Sequence, residues 1–234
     1  MIVTIDGPAG AGKSTAARSL ADRLGVPYLD TGAMFRAYTF LALERGLDME
    51  DKEALAALVR EVDLDLRPEG AVYVGDRRLD TELRRPEVTK AIRHLAGSGT
   101  VRAPIADEQR AVARRWGRLV CDGRDTGSVI YPDADVKFYL DASIEERARR
   151  RAADLEERGV KAPSLKELEA DIAERDRTDR EREVGPLVRP EDAISIDSSV
   201  RGPEEVLALM LEHVRGRMSA DDDSGRGGAS AGAA

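Results

Sequence analysis

GPAGAGKSTAA, residues 7–17, stands directly behind the apolar run MIVTID. Glycine loses the most chain entropy on folding, so a cluster of it needs a reason. MIVTID fits a strand buried on both faces. From Lys13 the pattern turns helical, with Ala17, Leu20, Ala21 and Leu24 on one stripe and Gly25 as the stop. Between strand and helix, residues 7–14 match G-x-x-x-x-G-K-[ST]. Successive backbone N–H groups can then converge into an anion nest, and the helix N-terminus adds about half a positive charge there. Gly7, Pro8, Ala9, Gly10, Ala11, Gly12, Lys13, Ser14 and Thr15 are therefore the candidate cradle for the phosphates of a nucleoside triphosphate. Lys13 would reach the β- and γ-phosphates, and the Ser14 hydroxyl would ligate Mg²⁺. A Gly-rich turn with a solvated lysine is the bland alternative, and the order strand, loop, helix weighs against it.

Working outward, VPYLD is a second short strand, and TGAMFRAYTFLALERG a helix with Thr31 as N-cap and Gly46 past its end. EDKEALAALVREV is a further helix. DLDLRPEGAVYVGDRRLD shows two alternating stretches around a Pro-Glu-Gly turn, the pattern of an antiparallel hairpin. The helical RPEVTKAIRHLAG follows it. Helix VRAPIADEQRAVARRWG, strands RLVCDG, DVKFYLDA and AISIDS, and a last helix GPEEVLALMLEHVRGRM complete the chain. Short apolar strands alternating with helices predict an α/β, three-layer P-loop fold around a central parallel five-stranded sheet. The expected organisation is one domain over 1–218, with core segments at about 1–61, 98–142 and 184–218. A nucleotide-binding insert takes about 62–97 and a mobile helical lid about 143–183. The Gly/Ala/Ser-rich tail, 219–234, is expected to be disordered.

Composition narrows the classes. The formal charge is −8, which does not favour nucleic acid or an anionic membrane. Aromatics are 4% of the chain, so stacking platforms for single strands are scarce. No apolar run approaches a membrane span, and MIVTIDG does not read as a signal peptide. One cysteine, Cys121, excludes an internal disulfide and fits a reducing cytoplasm as a small buried hydrophobe. A monomer is expected. Switch GTPases read guanine through an N-K-x-D element, and this chain has no asparagine.

Four further stretches carry chemistry. LDTGAMFR (29–36) offers Thr31 and Arg36 after the second strand, and CDGRDTGSVIYPDA (121–134) offers Asp122, Arg124 and Asp125 after the third. EERARRR (145–151) clusters arginines at the lid base. ERDRTDRERE (174–183) spaces Arg175, Asp179 and Arg182 on one helical face. Ligands bind beyond the carboxyl ends of strands in open α/β sheets, where Arg36, Arg124 and Asp125 fall. A solvated, salt-bridge-laced helix remains an equal reading of EERARRR alone.

Together these motifs resemble those of the bacterial cytidylate kinases, nucleoside-monophosphate kinases acting on CMP and dCMP. ITIDGP-x-GAGK, LDTGAM-[FY]-R, DGRD-x-G, P-D-A-x-x-K-F-x-L-D-A-S-x-E-E-R-A-x-R-R and ERD-x-x-D-x-x-R mark that family, and their counterparts stand here in order between residue 2 and about 217. The resemblance implies that Thr31, Arg36, Arg102, Arg124, Asp125, Arg175, Asp179 and Arg182 line the CMP site. Arg36 and Arg124 would hold the acceptor phosphate with Arg182 nearby, Arg102 and Asp125 would read cytosine, and Arg175 and Asp179 would touch the sugar. Arg147, Arg150 and Arg151 would be lid arginines closing on the ATP phosphates. Lys13, Arg124, Arg150, Arg151 and Arg182 would be the catalytic set, with Mg²⁺ as cofactor. Phe35 replaces the tyrosine more usual before Arg36, Arg93 lies where the family often has a serine touching the base, and Gly99 replaces a proline. Rival readings are another P-loop kinase (acceptor UMP, AMP or a small alcohol), or a binding module for ATP or RNA.

Overall fold

The computed structural model describes residues 1–157 and 159–226, with side chains as far as Ser219. Its centre is a sheet of five parallel strands in the order β2-β6-β1-β7-β8. These are β1 (Ile2–Asp6), β2 (Tyr28–Asp30), β6 (Leu119–Gly123), β7 (Val136–Asp141) and β8 (Ile194–Asp197). β1 pairs with β6 from Ile2↔Leu119 to Asp6↔Gly123, and with β7 on its other side. A central strand covered on both faces has no wet side, which is why MIVTID reads as an unbroken apolar run.

Helices close both faces. Leu20, Ala17 and Ala21 of α1 (Lys13–Leu24) and Leu207, Met210 and Val214 of α8 (Pro203–Arg226) pack on one face with Val3, Ile5 and Phe138. The other face takes α2 (Thr31–Glu44), α3 (Lys52–Glu61), α4 (Pro86–Ala96) and α5 (Gly99–Trp116). Between α3 and α4 lies a separate antiparallel sheet, β3 (Asp65–Leu66), β4 (Val72–Val74) and β5 (Arg77–Leu79). The expected hairpin is thus a three-stranded meander. Gly75, at φ 56°, makes the second turn, and β5 shows only one inward apolar residue, Leu79, behind two exposed arginines. Leu66, Val72, Leu79, Val88 and Leu95 join the same apolar cluster as Phe40 and Leu41 of α2. The meander and α4 therefore share the main core.

Residues beyond β7 form a helical hairpin, α6 (Ile144–Glu157) and α7 (Leu165–Arg180). Its own apolar cluster is small: Ala148, Leu168 and Ile172 are buried. Two buried branched side chains supply roughly 3–6 kcal/mol at most, so polar ties must share in holding the pair.

Two boundary expectations change. The N-cap of α2 is Asp30, whose carboxylate accepts from Ala33 N at 2.7 Å; Thr31 already lies inside the helix. An aspartate and a threonine side by side are both good caps, and the one before the turn took the role. Helix α8 runs on to Arg226, past Ser219 where a disordered tail was expected. Extending a nucleated helix costs little, and the Ser219 hydroxyl bonds back to Arg215 O at 3.1 Å. Residues 227–234 lie outside the described residues.

Candidate active site

The loop between β1 and α1 turns so closely past β7 that a side chain on Gly7 would overlap the Leu140 carbonyl. Gly12 caps α1 from a left-handed conformation, φ 89°, and brings no side chain, which leaves the first N–H groups of the helix open toward the loop. Lys13 folds back over it and donates to Pro8 O at 2.7 Å. Burial first, then the Arg124 guanidinium, push its ammonium down to about 7, against a pull from Asp122.

Asp122, at the end of β6, organises the floor. Its carboxylate accepts from Ser14 Oγ at 2.8 Å and from Tyr28 OH at 2.7 Å. Its backbone carbonyl accepts from Thr31 Oγ1 at 2.6 Å, fastening the start of α2 to the sheet. Burial and then the neighbouring Asp30 raise the Asp122 carboxyl above its ordinary value. No group of three or more His, Cys, Asp or Glu able to hold a metal occurs among the described residues. Ser14 and Asp122 nonetheless form an oxygen pair of the kind Mg²⁺ takes when phosphate oxygens and water fill its other positions. One strand over, the buried Asp6 accepts from Thr126 N, Thr126 Oγ1 and Gly127 N at 2.7–3.0 Å, which shapes the Thr126–Ile130 turn behind Arg124 and Asp125.

Across the cleft, arginines from three segments gather around two carboxylates, Asp30 and Asp179. Asp179 of α7 accepts from Arg124 Nε at 2.8 Å and pairs with Arg182. Burial alone would raise this carboxyl, but Arg124 and Arg182 outweigh it and hold it below the carboxylate range. Arg36 pairs with Asp30 at 3.0 Å. Arg175 makes no hydrogen bond or ion pair among the described residues. Although part of its surface meets solvent, the protein crowded around it, and then Arg124, Arg36 and Arg182, push it down to about 10 despite Asp179. The cluster thus holds more positive charge than its carboxylates neutralise.

Arg102 of α5 pairs with Asp125, donates to Ala96 O at 3.2 Å and lies 5.1 Å over the Phe35 ring. Beside that pair opens a cavity of about 210 Å³, lined in part by Phe35, Gly99, Gln109, Val129 and Val184. Arg93 is exposed on α4 and donates to its neighbour His94 at 3.4 Å.

The three lid arginines singled out in α6 go separate ways. Arg150 donates to Ser198 O at 2.6 Å, close to Gly12. Arg147 is buried against Asp176 beneath the loop, and Arg151 faces solvent beside Asp154. The structure thus gathers Thr31, Arg36, Arg124, Arg175, Asp179 and Arg182, and sets Arg102 and Asp125 beside them, while Arg147 and Arg151 lie apart. Sequence reading singled out Asp122 without giving it a role, and passed over Tyr28, Asp6, Asp30 and Ser198. An acid ending an apolar strand was the available signal for Asp6 and Asp122; Tyr28 and Ser198 offered none.

Comparison with known proteins places the chain in a family. Residues 3–216 match the family model described as cytidylate kinase. A bifunctional pantoate ligase/cytidylate kinase from Synechococcus sp. (strain CC9605) is 43% identical over 93% of this chain and 46% of that protein. The protein of the same description from Synechococcus sp. (strain WH7803) is 46% identical over 93% of this chain and 45% of its own length. The chain thus spans less than half the length of these curated relatives. Among solved structures, an uncharacterized protein from Eubacterium ventriosum ATCC 27560 shares the fold, with a TM-score of 0.50 at 14% identity over 92% of this chain and 98% of that one. By the family match along almost its whole length, the chain belongs to the cytidylate kinase family.

Proposed function

We propose that this protein transfers the γ-phosphoryl group of ATP to CMP or dCMP, giving ADP and CDP or dCDP, as a soluble monomeric enzyme of pyrimidine nucleotide metabolism in the cytoplasm. One observation carries the reading. Lys13 of the loop lies within electrostatic reach of Arg124 and Arg175 of the cluster, and both guanidinium groups add to burial in lowering its ammonium. Two polyanion sites thus adjoin, as direct transfer requires.

The acceptor phosphate has a second pKa near 6, so it is mostly dianionic at neutral pH and needs no general base. Catalysis reduces to holding two repelling anions in line, about 3 Å apart, and neutralising the charge that moves. The open N–H groups of α1 and Lys13 hold the donor phosphates, with Arg150 beside Gly12. Arg36, Arg124 and Arg182 hold the acceptor phosphate, and Arg175 with Asp179 faces the sugar. Ser14, with Asp122 behind it, would hold Mg²⁺, which would supply charge neutralisation when bound. These groups act before the reaction starts, as electrostatic preorganisation.

Cytosine presents an acceptor at N3 and a donor at N4, and the Arg102–Asp125 pair offers the complementary donor and acceptor. Uracil reverses both, leaving Asp125 against a carbonyl and so excluding UMP by repulsion. Neither the net charge of −8 nor any long apolar helix among the described residues points to nucleic acid or membrane partners.

The deciding assay is coupled ADP release with Mg·ATP and each of CMP, dCMP, UMP, AMP and GMP. CMP and dCMP are expected well above the others. Comparable turnover with UMP or AMP overturns the base assignment, and no acceptor-dependent release overturns the kinase reading.

A further inference from the structure

Arg147 is the least solvent-exposed arginine in α6, with its side chain 3% exposed, and it sits where a donor-phosphate arginine was expected. It already makes three hydrogen bonds. Nη1 donates to Asp176 Oδ2 at 2.7 Å and to Ala9 O at 3.1 Å, while Nε donates to Ala142 O at 2.9 Å. Its own Cβ packs against Gly10, lying 3.2 Å from where a Cβ on that glycine would sit. One planar guanidinium therefore touches the phosphate loop, the end of β7 and helix α7 at once, which an ammonium on a flexible stem cannot do.

Asp176 completes the geometry. Its side chain is 2% exposed, and its second oxygen, Oδ1, has no hydrogen-bond partner among the described residues. Moving Arg147 onto a phosphate would strand this carboxylate in the interior with no counter-charge, a heavily disfavoured arrangement. Asp176 also adjoins Arg175 and precedes Asp179 by three residues on α7. Neighbouring helical positions point about 100° apart, so fixing Asp176 toward Arg147 fixes the rotation at which Arg175 and Asp179 face Arg124. One turn along α6, Arg150 makes a parallel tie. It holds Ser198, whose hydroxyl donates to Ala11 O at 3.0 Å. Among the described residues, the buried apolar contact between α6 and α7 is Ala148, Leu168 and Ile172, with Ile144, Ala152 and Leu155 partly buried around it, so the apolar seam that could set their register is small.

We propose that the Arg147–Asp176 pair is a strut between the donor loop and the acceptor-side helix. Arg147 is a positioning residue that holds residues 9–10 and the face of α7 carrying Arg175 and Asp179 in one frame. This rests on the phosphotransfer reading of the cleft and adds to it. The relative placement of the two nucleotides is set by a pair that touches neither.

The test compares Arg147→Lys, Asp176→Asn and the apolar double variant Arg147→Met/Asp176→Leu, which fills the same space without a charge and keeps the question open if a single variant does not fold. Steady-state kcat, KM for CMP, equilibrium ATP binding and hydrogen exchange are measured for each. Both single variants are expected to lower kcat by on the order of tenfold to a hundredfold, the usual consequence of misplacing reactants by about an ångström. KM for CMP should rise and ATP binding change less than about twofold, with the double variant no worse than the singles, because partners in one tie are not additive. Hydrogen exchange should quicken together in the 8–12 loop and α7.

A different pattern overturns the strut: Arg147→Lys weakens ATP binding while Asp176→Asn leaves kcat and KM unchanged, which makes Arg147 a phosphate ligand. A double variant that folds and works at the wild-type rate overturns it equally. If the wild-type chain itself shows no CMP-dependent turnover, the substrate reading fails, and the paired exchange change alone decides the strut.

Discussion

The Ser14 hydroxyl donates to one oxygen of Asp122 across 2.8 Å, and the Tyr28 hydroxyl holds the other oxygen across 2.7 Å. The carboxylate is thereby fixed beside the phosphate loop although burial disfavours its charge. Such a group is kept at a cost to stability, and the cost has a pH signature.

Asp122→Asn keeps the volume and removes the charge. We expect turnover to fall by roughly 10–100-fold, with more Mg²⁺ needed for half the maximal rate, as when a group behind a metal ligand is lost. Stability should move the other way. A carboxyl whose folded value is raised binds more protons folded than unfolded, so wild-type stability declines as pH climbs from its ordinary range through the raised value. The asparagine variant escapes that decline and should match or exceed wild-type resistance to urea at pH 8. An unchanged Mg²⁺ titration would remove Asp122 from the site.

How much of this was legible beforehand depends on how local each feature is. The phosphate loop could be read because its donors come from consecutive residues, with Lys13 and Ser14 set by the same turn. The five strands could be read because burial on both faces makes them short apolar runs. Arg147 could not be placed. Helical spacing puts Arg147, Arg150 and Arg151 on α6, yet which of them meets Asp176, 29 positions later, is decided by how two helices dock. Tyr28 is similar, since its hydroxyl finds Asp122 only through pairing of β2 with β6. The role of Asp30 was hidden by Thr31, an equally good cap one position on.

Gly185 tests the base-reading pair. It sits at φ 64°, and a methyl group there would overlap both the Asp125 carboxylate and the Arg102 guanidinium. Gly185→Ala should cost about 1–2 kcal/mol of stability from the left-handed backbone alone. The larger effect should fall on specificity: kcat/KM for CMP drops by about tenfold or more, and the preference for CMP over UMP narrows, because Arg102 and Asp125 can no longer keep their spacing. Parallel kinetics with both nucleotides check this. A variant that loses stability but keeps the CMP-to-UMP ratio would show that the pair does not read the base.

Lys13 gives the last prediction, and it concerns protons. In the ligand-free protein its ammonium is pushed down to about 7, chiefly by burial, so at pH 8 most of it is neutral. Triphosphate oxygens within reach favour the charged form and raise the value again. ATP binding at pH 8 should therefore take up close to one proton, whereas at pH 6, where Lys13 is already charged, its uptake should be near zero. Titration calorimetry in two buffers of different ionisation enthalpy measures this directly. Lys13→Met should abolish the uptake at pH 8 and lower turnover by roughly 10²-fold or more, as loss of one preorganised donor does elsewhere. The linkage also fixes the sign for stability. A base whose folded value is lowered binds fewer protons folded than unfolded, so Lys13 destabilises the free protein fully below pH 7 and progressively less as pH rises toward 10.5. Lys13→Met should accordingly stabilise the ligand-free protein more at pH 6 than at pH 9. Equal stabilisation at both, with no change in proton uptake, would mean that Lys13 is not the buried cation that the triphosphate meets.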